Sequence, residues 1–160
     1  MDMGLPKSRL NQTRADMHYV LADTGVWYAM FDPGDQRWGQ TAEKEELLEL
    51  FNVVIPWPTM YETLRTRMVK NIRAMQRFED YLKRPNLTFI DDTPYREDAL
   101  DLTLKFSLRP QMRPIFKALS MIDCLIWLIL EDANVNISYL ATFNDRDFRD
   151  VCSKRRIEMF

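Results

Sequence analysis

Cysteine and histidine are scarce in this chain, which has two cysteines and one histidine among 160 residues. A disulfide framework or a zinc site requires more of these residues at regular spacing. Cys124 and Cys152 lie in apolar surroundings on separate predicted helices, so we expect both to be reduced residues of the core. His18 has no second histidine to act with, and we expect it to be a structural or surface residue rather than a catalytic one.

An excess of charge of one sign and a long apolar run are also missing. The chain has 22 basic and 24 acidic residues, so its net charge of −2 does not indicate a nucleic-acid-binding surface, and any basic patch must be local. The longest apolar run, Cys124–Leu130, is too short to span a bilayer. Residues 1–17 contain no apolar signal segment. We therefore expect a cytoplasmic protein without membrane association.

The composition is that of one globular domain, with 46% hydrophobic and 29% charged residues. Residues 1–17 are polar and lack periodicity, so they are predicted to be a flexible arm, which leaves 18–160 as a single domain. Predicted helices alternate with short apolar segments that are typical of strands. These segments are 19–22, 52–55, 87–90 and a fourth that begins at 139, and 156–159 is predicted as an edge strand. This alternation predicts a three-layer α/β/α sandwich around a mainly parallel sheet.

Capping patterns predict where the helices begin. Thr41 precedes a helix whose Leu47, Leu48, Leu50 and Phe51 are expected to face inward. Further helices are predicted from Thr59 to about Arg84, from Thr93 to about Phe106, over Met121–Asp132 and over Arg146–Lys154.

Acidic residues that are far apart in sequence are expected to meet at one edge of the sheet. Asp23 ends the first strand and Asp145 follows the fourth, and ligands of open parallel sheets bind beyond the carboxyl ends of the strands. Glu62 and Asp123 fall in the first turns of helices whose N-termini face the same edge. Each acid also has a simpler interpretation, because Glu62 and Asp123 fit capping boxes and Asp145 fits an N-cap.

A cluster of buried carboxylates requires a positive charge, since an unpaired buried carboxylate is strongly disfavoured. No lysine or arginine lies near Asp23 or Asp123 in sequence. Oxygen ligands favour Mg²⁺ or Mn²⁺ over zinc, and such an ion is the usual apparatus for hydrolysing phosphodiesters. Without metal, the crowded carboxylates should have raised pKa values, so activity should fall at acid pH.

A local basic patch follows Glu62 and consists of Arg65, Arg67, Lys70, Arg73 and Arg77. A solvated helix face and a phosphate-contact surface are equally good interpretations of it. Arg65, Arg73 and Arg113 are the residues we expect to contact an RNA backbone.

Four segments together resemble the PIN-domain ribonucleases, which include the toxin subunits of bacterial toxin–antitoxin pairs. They cover nearly all of 19–148 and are YVLADTGVW with Asp23, PWPTMYETLR with Glu62, SMIDCLIWLILED with Asp123, and YLATFNDRDF with Asp145 and Asp147. The resemblance implies an α/β/α fold, a divalent-metal site at the sheet edge, single-stranded RNA as substrate, an antitoxin protein as partner, and a homodimer. It also implies that Thr24 supports the metal site through a side-chain hydrogen bond.

The leading hypothesis is therefore a metal-dependent endoribonuclease in which Asp23, Glu62, Asp123 and Asp145 are catalytic. Asn144, Asp145 and Asp147 compete for the fourth acidic position, with Asp145 preferred, Asp147 second and Asn144 supporting. The metal ligands are then Asp23, Asp123, Asp145 and Asp147.

Two other functions are considered. One is a non-catalytic PIN-like module that binds RNA or protein. The other is a phosphatase of another α/β class, which Asp23-Thr24-Gly25 disfavours because the second aspartate of an aspartyl-phosphate enzyme is missing.

Overall fold

A five-stranded, fully parallel sheet forms the centre of the molecule, seen in a computed structural model that describes residues 18–64, 67–109, 111 and 119–160. The spatial order is β3-β2-β1-β4-β5. The strands are β1 (Tyr19–Ala22), β2 (Asn52–Pro56), β3 (Leu87–Ile90), β4 (Tyr139–Ala141) and β5 (Glu158–Met159). The predicted parallel sheet is confirmed, with the first and third strands at the predicted bounds. The predicted arm, 1–17, lies outside the described residues.

Helices follow the strands as the alternation predicts. They are α1 (Thr24–Phe31), α2 (Ala42–Leu50), α3 (Trp57–Leu64), α4 (Ile72–Leu82), α5 (Arg96–Leu108), α6 (Met121–Glu131) and α7 (Asp145–Arg155), with single 3₁₀ turns at Arg67–Lys70 and Thr93–Tyr95.

Two hydrophobic clusters cover the two faces of the sheet. Alternation along β1 sends Val20 and Ala22 to the face covered by α1–α4, and Leu21 to the face covered by α5–α7. Trp27 packs in the first cluster and Ile126 in the second, and both are fully buried. The α/β fold class and the three-layer α/β/α arrangement are therefore confirmed.

The single long helix predicted from Thr59 to Arg84 is wrong. The chain forms α3, which begins at Trp57, then a 3₁₀ turn, and then α4. Pro58 fits the start of a helix, where its missing N–H is not needed, and the Thr59 hydroxyl donates to the carbonyl of Pro56 at 2.7 Å instead of capping. Asn71 starts α4 anew, since its side chain accepts from the Ala74 amide at 3.1 Å.

The inward face predicted for α2 is confirmed at Leu48, which is fully buried, and wrong at Leu50, which is 68% exposed. Lys44 occupies a buried position instead, with its ammonium 4.5 Å from the centre of the Phe143 ring. Burial lowers the pKa of Lys44. The lysine contributes its apolar stem to the core and keeps its charge over an aromatic face.

None of the helices in the described ranges combines the length and the apolar character that crossing a membrane requires.

Candidate active site

The centre of the candidate site is the boundary between β1 and β4, where the strand order changes direction. The connection after β1 leads towards β2 on one side, and the connection after β4 leads towards β5 on the other. Such a switch point leaves a crevice at the carboxyl edge of a parallel sheet. Ala22 pairs with Ala141 in register, so Asp23 and Thr142 are the first residues beyond the two strands. The Asp23 amide donates to the Ala141 carbonyl at 3.0 Å, which extends the pairing to the edge.

The Asp23 carboxylate is held at both oxygens. Oδ1 accepts from the amide of Thr24 at 2.7 Å, so Asp23 is also the N-cap of α1. Oδ2 accepts from the hydroxyl of Thr142 at 3.1 Å. The side chain is 8% exposed, and no basic side chain in the described part of the chain forms an ion pair with it.

Burial raises the pKa of Asp23 from 3.8 to about 6. The negative charge of Asp123 is the second cause, and Glu62 also raises the pKa, while the hydrogen bonds from Thr142 and Thr24 lower it. The pKa of Asp23 is therefore raised as expected, but burial is the larger cause and the neighbouring carboxylates are the smaller one. The structure thus brings Asp123 and Glu62 within electrostatic range of Asp23, although the three residues are far apart in sequence.

Asp123 forms the capping box predicted at the start of α6. Its Oδ2 accepts from the Ser120 amide at 3.0 Å and from the Ser120 hydroxyl at 2.8 Å, and its own amide donates back to that hydroxyl at 3.1 Å. Oδ1 of Asp123 has no hydrogen-bond donor among the described residues. One oxygen therefore caps the helix, and the other makes no contribution to the capping box.

Glu62 does not occupy the capping-box position predicted for it, because α3 begins before Thr59. Its backbone carbonyl accepts a 2.6 Å hydrogen bond from the hydroxyl of Tyr28 on α1, which fixes α3 against α1. Its half-buried carboxylate forms no ion pair or hydrogen bond within the described ranges. Glu62 is thus an acid with a fixed backbone and a carboxylate that has no partner among the described residues.

The three candidates for the fourth position lie in different environments. Asp145 is exposed in the first turn of α7 and accepts from Arg149 at 2.8 Å, and this contact lowers its pKa. Asp147 is 3% exposed, and its Oδ2 accepts from the side-chain amide of Asn144. The structure places Asp147 and Asn144 at the buried side of this turn and Asp145 at the solvent side.

Thr142 is the site residue that the sequence reasoning missed. Its buried hydroxyl donates to Asp23 and accepts from the Asn144 amide at 2.9 Å. Hydrogen bonds therefore link Asp23 to Thr142, Thr142 to the backbone amide of Asn144, and the side-chain amide of Asn144 to Asp147. Thr142 is identified by the pairing of Ala22 with Ala141, which places it next to Asp23. The sequence does not give this pairing, because it depends on the register between β1 and β4.

Thr24, expected to support the site, is also buried. Its hydroxyl has no hydrogen-bond partner among the described residues. A buried hydroxyl next to the Asp23 carboxylate carries a desolvation cost that a bound ion with its waters would relieve.

Of the three arginines predicted to contact RNA, the structure describes only Arg73. Arg65 and Arg113 lie outside the described residues, and Arg73 is exposed on α4. Two other members of the basic patch have structural partners: Arg67 pairs with Asp32 at 3.2 Å, and Arg77 donates to the Phe31 carbonyl at 3.4 Å.

The donor set suits a hard divalent cation, because it consists of carboxylate, amide and hydroxyl oxygens. The Thr24 hydroxyl, which is buried and has no partner among the described residues, fits the same interpretation. In the ranges that the structure describes, however, no three His, Cys, Asp or Glu side chains are close enough together to hold a metal ion. The residue types fit a metal site, while the Asp23 carboxylate is held by hydrogen bonds from Thr24 and Thr142.

No protein-family model matches the chain, and no curated protein matches it in sequence. The likeness to PIN-domain ribonucleases therefore rests on the residues themselves.

Proposed function

We propose that this chain is a divalent-metal-dependent endoribonuclease that hydrolyses RNA phosphodiester bonds, with a site similar to that of the PIN-domain ribonucleases. The observation that carries the proposal is Asp23, a buried carboxylate at a switch point of a parallel sheet. Two other acids raise its pKa, and no cation of the described chain is paired with it. Neutralising such a group is what a bound Mg²⁺ or Mn²⁺ does.

The roles follow from the positions of the side chains. Asp23 and Asp123 would hold the ion, together with an acid of the α7 turn, for which Asp147 is better placed than Asp145 because it is joined to Asp23 through Thr142 and Asn144. When bound, the ion acidifies a water molecule and stabilises the leaving oxygen. Glu62, whose carboxylate has no partner in the described part of the chain, would accept the proton of the attacking water.

Cleavage of a single-stranded RNA with Mn²⁺ or Mg²⁺, with and without chelator, tests this proposal. Asp123→Asn should abolish cleavage while keeping a capping oxygen for Ser120. Asp98→Asn is a matched control, since Asp98 is an exposed acid in the first turn of α5, whose N-terminus follows β3 at the same edge of the sheet. Equal cleavage by wild type and Asp123→Asn, or cleavage that persists in chelator, would contradict the assignment.

A non-catalytic PIN-like module that binds RNA or protein is the second candidate. It is favoured by the contacts that already occupy Asp123 and Asp145, namely the capping box with Ser120 and the ion pair with Arg149. RNA binding without metal-dependent cleavage would select this function.

A toxin role, with an antitoxin protein as partner and a homodimeric state, rests on the sequence resemblance. Growth arrest on expression, relieved by Asp123→Asn at equal protein level, would support the toxin role. The solution mass from light scattering would test the homodimer.

A further inference from the structure

Three aromatic rings lie close together at the carboxyl ends of β2 and β3. Trp57 is the first residue after β2, and its ring centre is 4.3 Å from that of Phe89 on β3, with 21° between the ring planes. The centre of the Tyr61 ring, one turn further along α3, is 6.5 Å from that of Trp57, at 28°. Phe89 packs on the core and supports Trp57 from the protein side. The rings are near parallel, and they are fixed by a strand and a helix start rather than by a loop.

Solvent reaches the two outer rings. Trp57 is 41% exposed and Tyr61 is 67% exposed. Single exposed aromatic residues are common on protein surfaces, but here two neighbouring exposed rings lie nearly parallel to each other. We call Trp57 and Tyr61, with Phe89 stacked against Trp57, the aromatic platform.

The aromatic platform lies beside the acids. β2 is the neighbour of β1, so Trp57 follows the strand next to the one that Asp23 follows, and Phe89 is on the strand after that. Strand spacing places these residues about 5 to 10 Å from Asp23 along the sheet edge. Glu62, whose charge acts on Asp23, comes directly after Tyr61 in α3.

A positive group stands next to the aromatic platform. Arg96 is held by the buried Asp92 through two hydrogen bonds, Nε to Oδ2 at 2.8 Å and Nη2 to Oδ1 at 3.2 Å. Asp92 is the main cause that raises the pKa of Arg96, and the nearby Tyr61 adds to it. The Arg96 side chain remains 53% exposed, so a fixed guanidinium faces solvent beside Tyr61.

We propose that Trp57 and Tyr61 stack on the bases of single-stranded RNA and so hold the strand beside the acidic site, with Arg96 against its backbone. This inference rests on the proposed function for its substrate and adds where the substrate binds. Unpaired bases stack on aromatic side chains with little sequence preference, while paired bases inside a helix are not accessible to them.

Fluorescence anisotropy of a labelled, mixed-sequence single-stranded RNA oligonucleotide, measured in chelator so that cleavage is blocked, tests the proposal. Trp57→Ala and Tyr61→Ala should each weaken binding roughly 5-fold or more, because stacking contributes about that much per base. Trp57→Phe should retain most of the affinity. Tyr61→Leu should not, since leucine keeps the apolar contact and loses the ring. The same RNA as a duplex should bind more weakly than the single strand.

Trp38→Ala is the matched control. Trp38 is 39% exposed, close to the value for Trp57, but it lies between α1 and α2, where the Arg77 guanidinium is 5.1 Å from its ring centre. Unchanged binding by Trp57→Ala and Tyr61→Ala, or an equal loss with Trp38→Ala, would overturn the proposal. So would full affinity in Tyr61→Leu, which would indicate a general apolar contact such as a protein-docking surface.

Failure of this inference and failure of the proposed function give different results. If the chain cleaves RNA and the platform variants bind and cleave as wild type does, the nuclease proposal stands and the platform does not. If the chain never cleaves RNA but the platform variants lose binding, the platform stands and the catalytic proposal falls.

Discussion

The hydroxyl of Thr142 donates a hydrogen bond to Oδ2 of Asp23 across 119 positions of sequence, and both groups are buried. The same hydroxyl oxygen accepts from the Asn144 amide, so its proton is directed towards the carboxylate. This bond favours the charged form of Asp23, in opposition to burial and to the charge of Asp123. Thr142 is thus a positioning residue that limits how far the pKa of Asp23 rises.

Replacing Thr142 with valine should raise the pKa of Asp23 further. Valine has nearly the shape of threonine, but it has no hydroxyl to donate to the carboxylate. We expect the acid limb of the pH–rate profile to move to higher pH and the unfolding free energy to fall by about 1 kcal/mol. Thr142→Ser keeps the hydroxyl and should restore the profile. A valine variant that loses stability without any shift of the acid limb would show that the bond has no effect on the site.

Asp23→Asn should change how stability depends on pH. The folded state binds the Asp23 proton more tightly than the unfolded chain, since the pKa is about 6 when folded against 3.8. The unfolding free energy therefore falls as pH rises from about 4 to above 6, by roughly 2 to 3 kcal/mol in wild type relative to the variant. Urea unfolding of both proteins in chelator, at about pH 4 and about pH 8, measures the difference.

Asp145→Asn is the control for that measurement. Arg149 lowers the pKa of Asp145, so the sign of its contribution is opposite, and the exposed position keeps the effect small. If Asp23→Asn and Asp145→Asn gave the same pH dependence, the buried position of Asp23 would not be the cause.

The fourth acidic position can be assigned by metal binding. Mn²⁺ should raise the melting temperature of wild type at about pH 7, since an ion that binds only the folded state stabilises it by about 2.7 kcal/mol at a hundredfold excess over Kd. We expect Asp147→Asn to reduce this increase and Asp145→Asn to leave it unchanged. The reverse order would restore Asp145 as the ligand that the sequence favours.

Tyr28→Phe should displace Glu62 while leaving its side chain unchanged. The lost hydroxyl donates to the Glu62 carbonyl at 2.6 Å and joins α1 to α3. We expect a loss of about 1 kcal/mol of unfolding free energy, together with a lower kcat at unchanged metal affinity. An unchanged kcat would indicate that the position of Glu62 does not matter to the chemistry.

Patterns along the chain predict most of the fold. The apolar run before Asp23 and the alternation of short strands with helices are local signals, and they give the parallel sheet and its three layers. The break at Asn71 was missed because the helical spacing of Tyr61, Leu64 and Met68 continues beyond it at Ile72 and Met75. Ile72 fits that spacing but is 74% exposed, so the apolar pattern continues past the point where the first helix ends and does not indicate burial there.

The site is predictable only in part, for a physical reason. Strand ends and helix starts place Asp23 and Asp123 at one edge, since that placement depends on topology alone. Glu62 lies in the second turn of α3 instead, because the helix begins at Trp57. The choice between Asp145 and Asp147 depends on which side of the first turn of α7 faces the sheet. The role of Thr142 depends on the register of β1 with β4. Both are properties of packing between segments that are distant in sequence.

The pairing of β1 with β4 also has a consequence for synthesis. During translation, Thr142, Asn144 and Asp147 emerge more than a hundred residues after Asp23. Pairings of such long range form late in folding, because loop closure costs entropy before any contact is gained. A nascent chain therefore carries Asp23 without its partners. If the chain cuts RNA as proposed, the ribosome that makes it is exposed to a complete site only after nearly the whole of the sheet has been synthesised.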